Sequence, residues 1–244
     1  RPTHPQLRDW LASELVAGNW RMKRLHKLIL LSQTYRMSSQ DNPAHRAQDP
    51  ANNLLWRFEM RRLSAEEIRD TILSVAGNLN LKKYGPSIFP RIDQEVLAGQ
   101  SVPGNHWRPS PPEEQSRRSI YIHTKRSLIV PLIAAFDGAE TDNSCPIRFS
   151  TTQPTQALAT LNGQFLNRQA TTFADALRKQ GKQTQDQVQL ALWRGLQRPP
   201  QAAEVQQGVQ LLETLTTQYE ITTDKALEYF CLLVLNMNEF VYLD

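Results

Sequence analysis

The chain has 244 residues, 40% of them hydrophobic, enough for one sizeable core or one core with a small satellite. Its 10 glycines and 15 prolines are too few to signal disorder throughout, and no stretch approaches the roughly 20 apolar residues that span a bilayer. The net charge is +4, with a basic run over residues 21–36 and an acidic excess after residue 204.

Thr3 and Gln6 have capping-box spacing, and Leu7, Trp10, Leu11 and Leu15 follow helical periodicity up to a stop at Gly18. Asn19 is placed to cap a second helix with Met22, Leu25, Leu28 and Ile29 on its apolar face. The short link predicts an antiparallel hairpin. Residues 37–53 read as a polar loop with two prolines. A third helix starts at Ser64, whose capping box is completed by Glu67, with Leu63 and Ile68 at the staple positions and Gly77 at the end. Glu66 beside Glu67 reads as helix-start charge.

Residues 78–117 form a long insert with six prolines between Pro86 and Pro112, and its Glu113–Glu114 pair reads as solvated. Ser119 to Thr124 alternates as a short strand would, while residues 126–136 fit either a strand or a buried helical turn. Leu158, Leu161, Phe165, Leu166, Phe173 and Leu177 read as one helical stripe, with Pro154 in its first turn. Thr184 and Gln187 suggest a further capping box, ahead of Val188, Ala191, Leu192 and Leu196. Arg198-Pro199-Pro200 breaks the chain before two last faces, Val205, Val209, Leu212, Leu215 and then Leu227, Phe230, Cys231, Val234, Leu235. The expected fold is mainly α: a multi-helix globular domain with a small β element near 118–124 and the Pro-rich insert at 78–117. One domain over 1–244 is expected, with 1–117 and 118–244 as its natural subdivision.

Cys145 and Cys231 have no metal-ligand spacing, and sequence leaves open whether they pair. His4, His26, His45, His106 and His123 include no i, i+4 pair and no HExxH, so no metal site is expected. GxGxxG, GxxxxGK(S/T) and GxSxG are absent. The Arg21–Lys27 run lacks interleaved exposed aromatics, which disfavours nucleic acid and leaves polyanion binding as a minor reading. The most polar segment runs from Arg117 to Asn162. Its candidate cluster is Arg118, Tyr121, Arg126, Asp137, Cys145, Arg148, Thr152, Gln156 and Asn162. Such a loop could present arginines and backbone N–H groups to an anion. The simpler expectation is that Arg118, Arg126 and Arg148 pair with Asp137 and Asp142 to pin the loop. Asn162, on an apolar face, is expected to be hydrogen-bonded inside the fold.

The blocks RRLSAEEIRDTILSVAGNL, RRSIYIHTKR, FD…C…R…STTQPTQALATLNGQF, LWRGLQRPPQAAE and LNMNEFVYLD occur in that order, after an opening HPQLRDWLASELVAGNWRMKRLHKLILLSQTYRMSS. Together they resemble the domain of unknown function fifteen-fifty-three of planctomycetes and related bacteria, over essentially the whole chain. The resemblance implies the C-terminal domain of a large exported, cell-envelope protein, and an N-terminally truncated chain, consistent with a start at Arg1 and no leader. It implies upstream companion domains as partners, often including a cytochrome-c-like one. Haem would belong to that upstream domain, since CxxCH is absent from this chain and no cofactor is expected in it. The family has no established catalytic residues. Cys145, Arg148, Thr152, Gln156 and Asn162 match its typical positions without an assigned role. The resulting expectation is an accessory or interaction module that packs on its upstream domains. The alternatives are an enzyme domain acting on polysaccharide or with a cytochrome partner, and polyanion binding.

Overall fold

A computed structural model describes residues 2–243 apart from 101, 103, 105, 140, 142 and 143. Residues up to Arg61, with Leu243, form one compact unit, and Arg62–Tyr242 form a second. The fold is mainly α, as the periodicity predicts. Two strands of two residues each, β1 (Arg61–Arg62) and β2 (Tyr242–Leu243), pair in a single ladder. No helix among the described residues is long and apolar enough to cross a membrane.

The first unit opens with α1 (Pro5–Ala17) and α2 (Met22–Leu30). The Thr3–Gln6 capping box does not form. Pro5, with its fixed φ and no N–H, takes the first helical position and makes His4 the cap. Thr3 Oγ1 lies 3.0 Å from His4 Nδ1 instead. Asn19 does not cap α2 either. It and Trp20 adopt left-handed φ values of 52° and 60°, turning the chain so that Arg21 becomes the cap residue. Arg24 closes this hairpin by donating to the Glu14 carbonyl at 2.9 Å and its carboxylate at 2.6 Å. The polar loop contains a short helix, α3 (Pro43–Gln48), because Asn42 Oδ1 accepts the N–H groups of Ala44 and His45.

In the second unit α4 (Ala65–Ala76) starts with the expected capping box. Ser64 Oγ accepts the Glu67 N–H at 3.3 Å, and Glu67 Oε2 accepts the Ser64 N–H at 2.8 Å. Gly77 ends the helix at φ 82°, a conformation that costs glycine little. The insert carries α5 (Gln94–Ala98), α6 (Pro112–Gln115) and a small core of Ile92, Trp107 and Leu128. The strand expected at 118–124 is absent. Residues Ser119–Tyr121 form a 3-10 turn, and the flanking backbone pairs only at single bridges, Asn80 with Arg117 and Ile88 with Ile122. The reason is a long-range contact: Asp70 Oδ1, on α4, accepts both the N–H and the hydroxyl of Ser119, each at 2.7 Å, where the chain turns. The ambiguous segment after it contains a helical turn, α7 (Pro131–Ala135).

The stripe from Leu158 to Leu177 is two helices, α8 (Pro154–Asn162) and α9 (Gln164–Gln180). Gly163 breaks it with ψ 128°, and Leu158 and Leu161 are exposed. Then follow α10 (Thr184–Leu196), α11 (Ala202–Thr217), α12 (Thr223–Val234) and α13 (Asn238–Val241). The cap of α10 is Gln183, one residue before the expected Thr184, and its N–H reaches Asp186 Oδ2 at 3.4 Å. α9 lies between α4 and α12, and Phe173, Ala174, Leu177, Val188, Ala191 and Val234 are completely or almost completely buried at this centre.

Candidate functional site

The polar segment is positioned by buried arginines that periodicity alone does not reveal. Arg69 lies on the buried face of α4 and is 2% exposed. It donates to the Arg117 carbonyl at 2.9 Å, to Ser119 Oγ at 3.2 Å and to the Gln115 carbonyl. Burial pushes its guanidinium down to about 10, Asp70 opposing, so it remains charged at neutral pH. Arg117 is fully buried. It donates to the carbonyls of Lys82, Tyr84 and Pro86 and to Glu114 Oε2, and stacks 3.9 Å from the centre of the Tyr121 ring. The insert is thus held by two cations from its own edges. Glu114 is not simply solvated, since it pairs with both Lys82 and Arg117.

A second network centres on Asp137, whose φ is 58°. Asp137 accepts Arg62 Nη2 at 2.7 Å, the Thr151 N–H at 2.9 Å and the Thr151 hydroxyl at 2.8 Å. Arg62 also donates to the carbonyls of Thr151 and Phe136. Buried Gln156 donates to the Thr151 carbonyl at 3.1 Å and accepts the Gln153 N–H at 3.3 Å. Burial raises the Asp137 carboxyl, but Thr151 and Arg62 together outweigh it and hold the group below the ordinary carboxylate range. The arrangement joins Arg62, before α4, to the loop ahead of α8.

The nine candidate residues therefore do not converge on one point. Asp137 and Gln156 share the network just described, and Thr152, exposed beside it, lies 3.2 Å from the Tyr242 hydroxyl. Arg118 reaches Asp70 Oδ2 at 3.4 Å, and Tyr121 accepts the Tyr84 N–H. Arg126 is exposed, and its carbonyl accepts from Thr141. Arg148 Nη1 holds both oxygens of Glu66, at 2.9 and 2.7 Å. The pairings expected inside the segment for Arg118, Arg148 and Asp137 are thus corrected. Arg118 goes to Asp70, Arg148 to Glu66, and Asp137 takes Arg62, because α4 and the residues before it offer their charges toward the segment. Asp142 lies outside the described residues. Asn162 is exposed rather than bonded inside the fold, since α8 ends there and its neighbour Leu161 faces solvent.

Asp137, Cys145 and Arg148 do share an open groove of about 670 Å3, walled by Ile129, Pro146, Ile147 and Phe149. Both cysteines are free; Cys145 is exposed and Cys231 buried. The hydrogen bond to Glu66 raises Arg148, and Arg148 in turn helps hold Glu66 low against its burial. The two charged side chains lining the groove, Asp137 held low and Arg148 held high, are therefore both pushed away from neutrality. Among the described residues, no group of three or more His, Cys, Asp or Glu side chains is positioned to hold a metal.

Fold and site together define a mainly helical domain in which several polar side chains fasten loops to helices. Residues 1–212 match the family model PSD1, described as "Protein of unknown function (DUF1553)", and the chain belongs to that family. No curated protein and no solved structure matches it.

Proposed function

We propose that this chain is an accessory module that packs against other domains of a larger exported protein. The observation that supports it is in the first unit, where no apolar side chain among the described residues is buried. Leu11, Leu15, Leu25, Leu28 and Ile29 are only half-buried within the hairpin. Trp10, Val16, Trp20, Met22, Leu30 and Leu31 stand exposed. Ordering a residue costs roughly 1–2 kcal/mol of conformational entropy, which apolar burial has to offset. A unit of this size without a buried apolar residue is stabilised by a surface that covers it, and large exposed apolar faces mark interaction sites. We assign that surface to upstream companion domains, cytochrome-c-like in some, of a cell-envelope protein, an assignment the family resemblance supports. In the second unit Arg62, Arg69, Asp137 and Arg148 of the polar blocks bond to loops and helices of the same unit.

The test expresses this chain and the preceding domains of its parent protein separately and measures their association by calorimetry. Micromolar or tighter binding is expected, weakened at least tenfold by Trp10→Ser with Trp20→Ser, with the second unit's melting unchanged. Absence of association, or association indifferent to both substitutions, overturns the proposal.

A further inference from the structure

The positive charge of the chain is concentrated in its first unit. Residues 1–61 hold ten Lys and Arg against five Asp and Glu, a net +5, while the whole chain carries +4, so residues 62–244 are left at −1. Four of those five acids are already engaged: Asp9 with Arg8, Glu14 with Arg24, Asp41 with Arg46 and Arg57, and Asp49 with the N–H groups of Asn53 and Leu54. Arg21, Lys23, Lys27 and Arg36 are exposed, and among the described residues of the unit no carboxylate lies within ion-pair distance of them. Helical geometry places two of these cations beside exposed apolar groups. Leu25, Leu28 and Ile29 make the half-buried face of α2, which packs on α1. Met22, His26 and Leu30 stand one turn apart along an exposed stripe, and Lys23 and Lys27 form the exposed stripe next to it, about 100° of rotation further round. A surface that covers Met22 and Leu30 therefore takes up Lys23 and Lys27 as well.

Covering a lysine with no acid opposite it strips water from a charge without compensation, and a basic partner would repel it. The exposed stripe is also a poor match for a lipid surface. It offers only Met22 and Leu30 with His26 between them, whereas a helix lying in a membrane interface turns its whole apolar face toward the acyl chains. On α2 that face is turned into the hairpin instead. We propose that the surface covering the first unit belongs to an acidic protein, with Asp or Glu carboxylates opposite Lys23 and Lys27 and apolar side chains opposite Met22 and Leu30. This assignment rests on the docking role proposed above and adds the charge of the partner.

The test uses this chain and the separately expressed preceding domains of its parent protein. Association is followed by stopped-flow tryptophan fluorescence and by calorimetry at about 25 mM and about 300 mM NaCl. The association rate is expected to fall at least about tenfold at the higher salt. Lys23→Glu with Lys27→Glu should lower the rate at least about tenfold at low salt and remove most of its salt dependence, with Lys23→Gln plus Lys27→Gln falling in between. Both positions are exposed, and the melting midpoint of each variant confirms its fold. A rate indifferent to salt, or unchanged in the Glu variant, overturns the acidic partner and leaves docking itself standing. Absence of any association overturns both. Vesicles of phosphatidylglycerol represent the other anionic occupant, and tighter binding to them than to the preceding domains would overturn the assignment in favour of a lipid surface.

Discussion

Arg62, Arg69 and Arg117 are together the most informative side chains in the second unit. Each is almost wholly inaccessible, and each spends its guanidinium on carbonyls and carboxylates that belong to distant parts of the chain. A buried cation is tolerable when its donors are met, and here most are met by loop carbonyls and carboxylates, although Arg62 Nε is buried without a partner. Asp137 is the anion on which Arg62 relies. Asp137→Asn keeps a residue that tolerates the left-handed backbone but removes the charge, and is expected to cost about 2 kcal/mol in a denaturant titration. The pH dependence has a definite sign. Hydrogen bonds from Arg198 and the Gln201 N–H hold Glu204 at about 2, and Asp137 too is held low. A folded-state carboxyl below its unfolded value contributes stability that is complete above about pH 5 and is lost as pH falls toward 2. The melting midpoint should therefore drop over that window, and Asp137→Asn should make the drop shallower.

At the scale of elements, helix spacing is controlled by two glycines. A Cβ at Gly195 of α10 would lie 2.4 Å from Val234 Cγ1 on α12, and one at Gly208 of α11 would lie 2.6 Å from Val188 Cγ1. Helix propensity favours Gly195→Ala by about 1 kcal/mol, whereas overpacking costs about 1–3 kcal/mol. The steric effect should win, lowering stability by about 1 kcal/mol, with Val234→Ala in the same chain recovering part of the loss. A stabilised Gly195→Ala protein would show that α10 and α12 are not pressed together at this crossing. The turn after α10 is fixed in a different way. Gln197 takes φ 56°, and Arg198 forks to Glu204 and Glu239, tying the Pro199–Pro200 break to α11 and α13.

Within the second unit, the insert shares only a small buried cluster of its own, Ile92 and Trp107 with Leu128 from beyond it, flanked by Phe89, Leu97 and Val130. Arg69 and Arg117 add charged hydrogen bonds to its ends. Arg117→Met keeps volume but leaves the carbonyls of Lys82, Tyr84 and Pro86 without their donor. Limited proteolysis should then cut within residues 82–91 at least about tenfold faster, because local opening becomes easier while the helices stay folded. Unchanged protection would mean that the small apolar cluster alone orders the insert.

The α4 capping box, its Gly77 stop and the apolar faces of α9 to α12 were legible in the sequence, because they depend on neighbours within a turn or two and on a repeating burial pattern. One signal went unread: Arg69 stands four residues after Ala65 and three before Ile72, squarely on the buried stripe of α4. A cation on an apolar face announces a distant acceptor without saying which. The sequence by itself determined a mainly helical chain, its main caps and its family. Only the tertiary structure decided that the 118–124 segment turns instead of extending, that Arg148 reaches Glu66 and Asp137 takes Arg62, and that the first unit leaves its apolar side chains uncovered. The physical reason is that capping and periodicity are local, whereas a buried charge is settled by whichever donors and acceptors folding brings within about 3 Å of it.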